Sequence, residues 1–158
     1  MTEQVTNSTE TAGARIALVT ASFNEPVTGL LLEGCRATLL EKGLRQSDLE
    51  EYRVPGAWEL PLACQKLVNT GRYAAVIALG AVIRGETAHF DFISAECARG
   101  LQQVSLDSGV PVAFGVLTTE NGEQAMDRAD PARKNKGREV ALAALAMVAL
   151  NEEIADVS

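Results

Sequence analysis

The chain has 158 residues, with 21 Asp and Glu residues against 14 Lys and Arg residues, and its formal net charge is −7 at pH 7. This length fits one domain with a sizeable core. The acidic balance argues against nucleic acid or an anionic membrane as a partner. No uninterrupted apolar run is long enough to span a membrane, and the polar N-terminus lacks a signal-peptide pattern, so we expect a cytoplasmic protein.

Strands and helices alternate along the chain. Residues 1–14 are rich in Thr, Asn, Ser and Glu and predict a flexible tail, which leaves residues 15–158 as the domain. Gly43 and Ser108-Gly109 end helical patterns, and Pro61 suits the first turn of a helix. The predicted elements are a strand at 15–23, a helix at 25–42, a strand at 49–54, a helix ending near Asn69, a strand at 73–83, a helix at 89–107, a strand at 110–117, and helices at 121–129 and 136–155.

The most apolar run, 73–79, lies between Gly71 and Gly80, and its strand continues to Ile83. Such a run is typical of a central parallel strand that is buried on both faces. The shorter and more polar strand at 49–54 suits a sheet edge. We therefore predict an α/β fold with three layers, in which helices cover both sides of a four-stranded parallel sheet. The last helix is apolar around much of its circumference, which predicts a second face buried against another subunit.

Three cysteines, Cys35, Cys64 and Cys97, lie far apart in helical patterns and form no C-x-x-C motif. Neither a zinc site nor a disulfide framework is indicated. We expect reduced thiols that pack as small apolar groups. The chain also lacks the glycine-rich motifs of dinucleotide-binding and P-loop proteins.

Ligands of parallel sheets bind where the carboxyl ends of the strands meet. Four segments are expected there: Phe23-Asn24, Gly56–Glu59, Arg84–His89 and Phe114–Thr119. The turn before the third helix suits an anion. His89, the only histidine, has an ordinary pKa of about 6.5 and can transfer protons.

Each of these residues also has a structural interpretation when it is taken alone. Phe23 can pack in the core, and His89 can be a structural histidine. Glu59 can favour a helix dipole. Arg128, on the short helix at 121–129, can be a solvated charge.

Longer motifs decide between these interpretations. They are Val54-Pro-Gly-Ala-Trp-Glu-Leu-Pro61, the run from Ala78 to Asp91, Pro111–Thr119, Glu123–Ala129 and Asn135-Lys-Gly137. In their order and spacing, from Arg15 to about Leu150, they resemble the lumazine synthase family. This family is also called 6,7-dimethyl-8-ribityllumazine synthase, or the riboflavin synthase β chain.

The resemblance implies a flavodoxin-like fold and an enzyme without cofactor or metal. The expected reaction joins 5-amino-6-(D-ribitylamino)uracil to 3,4-dihydroxy-2-butanone 4-phosphate. It gives 6,7-dimethyl-8-ribityllumazine, phosphate and water, the penultimate step of riboflavin biosynthesis. The family forms pentamers, pairs of pentamers or shells of sixty subunits, with active sites between neighbours in the pentamer.

The resemblance also implies a role for each matching position. Phe23 would stack on the pyrimidine, and His89 would transfer protons. Phe114 and Arg128 would come from the adjacent subunit, with Arg128 on the phosphate. The remaining assignments are Ala57, Trp58 and Glu59 for the ribityl chain, Ala81, Val82 and Ile83 for the ring pocket, Glu86 and Thr87 for the phosphate, and Lys136 near Arg128.

One segment departs from the family pattern. Many members have Gly-Thr-Lys-Ala-Gly where this chain has Asp130-Pro-Ala-Arg-Lys134. The exchange removes two glycines and adds a proline, which changes the backbone angles open to the loop. The choice between pentamer, decamer and sixty-subunit shell therefore stays open, as does encapsulation of riboflavin synthase.

Two other functions fit parts of the pattern. A flavodoxin-like carrier of flavin or nucleotide would use Phe23 but would leave His89 and Arg128 without a role. A shell-forming protein with a vestigial pocket would not need the motif residues that this chain retains.

Overall fold

The computed structural model describes residues 14–157, so the predicted tail lies outside the described residues except for its last position. Within this range one sheet holds β1 (Ile16–Ala21), β2 (Leu49–Val54), β3 (Ala75–Ile83) and β4 (Val112–Thr119). All neighbouring pairs are parallel, and the strand order is β2-β1-β3-β4. The predicted parallel sheet with the polar β2 at its edge is confirmed.

The helices lie between and after the strands. They are α1 (Glu25–Glu41), α2 (Leu60–Val68), α3 (His89–Ser108), α4 (Gly122–Ala129) and α5 (Lys136–Val157), with two 3₁₀ turns at Gln46–Asp48 and Ala57–Glu59. One core cluster joins the sheet to α1, α4 and α5, and the other joins it to α2 and α3. The fold therefore has three layers and is flavodoxin-like, as predicted.

Both cores follow from the alternation of side chains along a strand. In β1, Ile16 and Leu18 pack on the α1 side, whereas Ala17 and Val19 pack on the α2 side. Every residue of β1 is buried, and so are the first seven residues of β3. This explains why these strands read as continuous apolar runs.

The three cysteines are free and buried, as expected. Burial raises the pKa of Cys35 and of Cys64 to about 12, and that of Cys97 to about 11. All three therefore stay protonated near neutral pH and pack as small apolar groups.

The motif Asn135-Lys-Gly137 sets the contact between α1 and α5. A Cβ atom at Gly137 would lie 2.3 Å from the carbonyl oxygen of Leu31, so only glycine allows the two backbones to approach this closely. Asn135 has a φ of 47°, a left-handed conformation that asparagine tolerates better than most residues. The motif therefore has a packing role in this chain.

One expectation about the carboxyl edge was wrong. The segment Phe114–Thr119 does not lie wholly at that edge, because it belongs to β4, which continues to Thr119 and pairs with β3 as far as Ile83. Phe114 pairs with Ala78, in the first half of the strand, and five residues of parallel strand span about 16 Å. Phe114 is thus well removed from the edge at which β4 ends.

Candidate active site

A cleft of about 850 Å³ opens at the carboxyl edge of the sheet. The segments that follow β1, β2 and β3 form its walls, together with the first turns of α3. Its lining residues are Phe23, Pro55, Gly56, Ala57, Trp58, Glu59, Ala81, Val82, Ile83, Gly85, Thr87, His89, Phe90, Phe92 and Ile93. Nine of the thirteen predicted site residues belong to this one chain's cleft.

Backbone hydrogen bonds hold Phe23 in place. Its N–H donates to the carbonyl of Pro55 at 2.9 Å, which extends the pairing of β1 and β2 beyond both strands. Asn24 then turns the chain into α1 with a φ of 64°, and its side-chain Nδ2 donates to the carbonyl of Ala81 at 3.0 Å. Phe23 is 70% exposed, so it is not a core residue, and it lines the cleft.

The second wall comes from the turn after β2. Ala57 is buried, whereas Trp58 is 55% exposed beside the cleft. Oε1 of Glu59 accepts a hydrogen bond from the N–H of Gly56 at 2.9 Å. Glu59 thus stabilises its own turn while it also lines the cleft.

The third wall is the exposed turn Gly85–Ala88, which leads from β3 into α3. Oγ1 of Thr87 accepts a hydrogen bond from the N–H of His89 at 3.3 Å. Gly85, Thr87 and His89 line the cleft, whereas Glu86 lies on the turn outside that lining. His89 is exposed, so its imidazole is open to solvent and to a ligand.

Three predicted residues lie away from this cleft. Arg128 lines a separate depression of about 950 Å³ between the start of α1 and helix α4, and its Nη1 donates to the carbonyl of Gln124 at 3.3 Å. Nζ of Lys136 pairs with Glu139 at 3.2 Å. Phe114 is 45% exposed on β4. One chain therefore does not bring these three side chains to its own His89.

Several lining residues were not predicted from the sequence, among them Phe92, which is 68% exposed. Helical spacing could have found it. Phe92 and Ile93 follow His89 by three and four positions, so they share its face of α3. Phe90 also lines the cleft, although it is 9% exposed and belongs mostly to the core.

The arrangement combines aromatic faces, exposed backbone and one imidazole in a largely apolar recess. Phe23, Trp58 and Phe92 offer surfaces on which a planar ring can stack. His89 can carry a proton to or from a ligand that sits beside them. Within residues 14–157, no group of three His, Cys, Asp or Glu side chains is placed to hold a metal ion.

These features define a class. The chain is a flavodoxin-like α/β protein whose small-molecule cleft lies at the carboxyl ends of its parallel strands, where sheets of this kind bind ligands. Comparison with known proteins gives the family. The sequence model of the 6,7-dimethyl-8-ribityllumazine synthase family matches residues 13–152, and the chain belongs to this family.

Relatives that carry this enzyme's name match almost end to end. The protein from Halorhodospira halophila is 50% identical over 141 residues, which cover 89% of this chain and 90% of the relative. That from Chlorobium phaeovibrioides is 50% identical over 137 residues, covering 87% and 88%. That from Chlorobium phaeobacteroides is 48% identical over 148 residues, covering 94% and 96%. The expected family is therefore confirmed.

Proposed function

We propose that the cleft at the carboxyl edge is where this chain makes 6,7-dimethyl-8-ribityllumazine, phosphate and water. The substrates are 5-amino-6-(D-ribitylamino)uracil and 3,4-dihydroxy-2-butanone 4-phosphate. Family membership supports the reaction. The observation that carries the site is the meeting of three strand-end segments, which place Phe23, Trp58 and His89 around one recess.

The chemistry requires positioning and proton transfer. The 5-amino group of the pyrimidine attacks the ketone to give an imine, with loss of water. Phosphate leaves by β-elimination, and attack by the ribitylamino nitrogen then closes the second ring with loss of water. Holding two substrates in register removes much of the entropic barrier, and one imidazole can serve the successive proton transfers.

Each wall of the cleft has a proposed task. Phe23 stacks on the pyrimidine, and His89 transfers protons to and from the reacting carbons and nitrogens. Thr87 and Glu86, on the exposed turn, hold the phosphate end of the butanone. The other assignments are Ala57, Trp58 and Glu59 for the ribityl chain and Ala81, Val82 and Ile83 for the ring.

The direct test is conversion of both substrates by the purified full chain. Lumazine formation, followed by its absorbance, should accompany phosphate release in equal amounts and should exceed the rate without enzyme. Mixtures that omit either substrate are the controls. A rate equal to that of the uncatalysed mixture would contradict the proposed function.

We also propose that the site is completed by a neighbouring copy of the chain. Phe114, Arg128 and Lys136 lie outside the cleft of their own chain, which supports their delivery from an adjacent subunit. Exposed apolar side chains support burial in an assembly, among them Leu62, Met147 and Ile154. The proposed unit is a pentamer, and a decamer or a sixty-subunit shell could be built from it, with riboflavin synthase as a candidate partner.

Mixed refolding tests whether the site is shared. His89→Ala chains and Arg128→Ala chains, each impaired alone, are unfolded, mixed equally and refolded together. A boundary is intact only where an Arg128→Ala chain supplies His89 and a His89→Ala chain supplies Arg128, which random assembly of a ring gives at about one boundary in four. Activity should therefore recover to roughly a quarter of wild type. If the mixture shows only the average of the two parents, both residues act within one chain.

Residues 15–158 are proposed to act as one domain in the cytoplasm. The two core clusters share a single sheet, which supports one domain. The free buried cysteines are consistent with a reducing compartment. None of the helices within residues 14–157 combines the length and the apolar character that crossing a membrane requires.

A further inference from the structure

Arg84 stands at the point where β3 ends and the exposed turn Gly85–Ala88 begins. Its backbone N–H donates to the carbonyl of Thr119 at 2.8 Å, so the pairing of β3 with β4 continues one residue beyond Ile83. The backbone of Arg84 is thus fixed to the sheet, immediately before the turn that carries Thr87 and leads to His89.

The side chain of Arg84 contacts two further elements. Its Nε lies 3.0 Å from a carboxylate oxygen of Glu120, which follows β4. Its Nη2 lies 3.5 Å from Oδ1 of Asp91, in the first turn of α3. The guanidinium also stacks on the ring of Phe90, at 4.4 Å from the ring centroid. A guanidinium is suited to this arrangement because it is planar and presents donors along several edges.

The turn itself has few other restraints. The hydrogen bonds of its residues, as far as the described chain extends, are local to the start of α3. Oγ1 of Thr87 accepts from the N–H of His89, and the carbonyl of Ala88 accepts from the N–H groups of Asp91 and Phe92. Arg84 therefore joins the two ends of the turn, since it sits before Gly85 and grips Phe90 and Asp91 after His89.

We propose that Arg84 is a positioning residue for the phosphate-holding turn of this enzyme. This role rests on the proposed function, in which Thr87 and Glu86 hold the butanone phosphate. By clamping the first turn of α3 against the ends of β3 and β4, Arg84 keeps Thr87 and His89 at a fixed spacing. Small displacements matter at such a site, because misplacement of about 1 Å can cost up to roughly 10²-fold in rate.

A direct role is the competing explanation, in which Arg84 itself binds phosphate. The two explanations differ in what happens when Glu120 loses its charge. If Arg84 binds phosphate directly, Glu120→Gln frees the guanidinium and should strengthen phosphate binding. If Arg84 acts as a clamp, Glu120→Gln loosens the clamp and should weaken phosphate binding.

The experiment compares Arg84→Met, Arg84→Lys and Glu120→Gln in the full-length enzyme. Arg84→Met keeps an apolar stem over Phe90 but removes the charge and the donors. Arg84→Lys keeps the charge but not the planar fork. Arg99→Met is the matched control, because Arg99 pairs with Glu96 at 2.8 Å on the exposed face of α3. The measurements are the KM of each substrate, kcat, the Kd of inorganic phosphate and the melting temperature.

For Arg84→Met we expect the phosphate Kd and the butanone phosphate KM to rise about tenfold, within the range that misplacement produces. The pyrimidine KM should stay within about twofold, because Phe23, which is proposed to stack on the pyrimidine, is held by the segments after β1 and β2. Arg84→Lys should fall between wild type and Arg84→Met, and Glu120→Gln should weaken phosphate binding by a smaller factor. The Arg99→Met control should match wild type.

Three outcomes would overturn the positioning role. They are stronger phosphate binding by Glu120→Gln, an equal rise of both KM values, and Arg84 variants that bind phosphate as wild type does. Failure of the proposed function would look different, since the wild-type enzyme itself would then form lumazine no faster than the uncatalysed mixture. If Arg84→Met does not fold, Arg84→Lys and Glu120→Gln decide the question by the same measurements.

Discussion

The carboxyl and amino edges of the sheet, where the strands end and begin, differ in how many of their side chains have hydrogen-bond or ion-pair partners within the chain. At the carboxyl edge, Phe23, Trp58 and Phe92 are more than half exposed around an open cleft. At the amino edge, the carboxylate of Glu50 accepts hydrogen bonds from Tyr73 at 2.5 Å and from Arg72, and pairs with Arg15 at 3.1 Å. The carboxyl edge therefore leaves a cleft for a ligand, whereas the side chains at the amino edge bond to one another.

The amino-edge cluster ties the strands together where they begin. Arg15 precedes β1, Glu50 lies on β2, and Arg72 and Tyr73 precede β3. Tyr52 joins the cluster through a 2.7 Å hydrogen bond to the hydroxyl of Tyr73. The same fold therefore separates stability from function: residues at one edge hold the strands, and residues at the other are free to bind. Substitutions at the two edges should accordingly give opposite signatures.

His89→Ala should show the largest effect and should confine it to the carboxyl edge. General acid–base catalysis contributes about 10²–10⁴-fold, and we expect a loss near the low end because the aligned amine and ketone also react unaided. The melting temperature should stay near that of wild type, because His89 is exposed. Steady-state kinetics and thermal unfolding measure the two quantities. Unchanged turnover would remove His89 from the mechanism.

Phe23→Ala should come next. Stacking of a base on an aromatic ring is worth about 1–3 kcal/mol, so the pyrimidine KM should rise by roughly one to two decades. The melting temperature should change little, because Phe23 is 70% exposed. Leu106→Ala is the matched control, since Leu106 is 69% exposed at the far end of α3. A large loss of stability with an unchanged KM would make Phe23 a packing residue.

Glu50→Gln should give the opposite signature, with a fall of a few degrees in melting temperature and unchanged kcat and KM. The charge-assisted bonds from Arg72 and Arg15 are lost, and the hydroxyls of Tyr73 and Tyr52 keep only a weaker acceptor. Glu96→Gln is the control for an isolated exposed pair, which contributes little to stability. Equal melting temperatures for the two variants would show that the cluster does not act as a unit.

The smallest predicted effect is a pH dependence of the stability difference between wild type and Glu50→Gln. The hydrogen bond from Tyr73, followed by that from Arg72, lowers the pKa of Glu50 from 4.5 to about 2. A lowered pKa in the folded state gives stability that is present above pH 4.5 and is lost as the pH falls towards 2. The gap between wild type and Glu50→Gln in urea midpoint should therefore narrow over this window. A gap that is constant between pH 6 and about 2.5 would contradict the shift.

Local patterns in the sequence were enough for the fold. The continuous apolar run of β3 predicted a strand buried on both faces, and the polar β2 predicted an edge. The prediction for β3 worked because burial on two faces favours apolar residues at successive positions. The sequence was less informative about where β4 ends. Pairing with β3 extends β4 through Thr118 and Thr119, which look like a loop when they are read alone.

Most residues of the site were likewise predicted from local patterns, and others were not. The motifs from Val54 to Pro61 and from Ala78 to Asp91 named the family and most of the cleft, because each motif is one strand end with its turn. Phe92 was missed because it lies just beyond the second motif, and only its spacing from His89 along α3 points to it.

Only the tertiary structure decided two further points. It set the cluster around Glu50, whose partners lie as many as 35 residues from it in the chain, and it set the contact of Arg84 with Glu120, 36 residues away. The reason is physical. Burial leaves a periodic trace in the sequence, whereas a contact between distant charged side chains depends on the register of strands that no local pattern records.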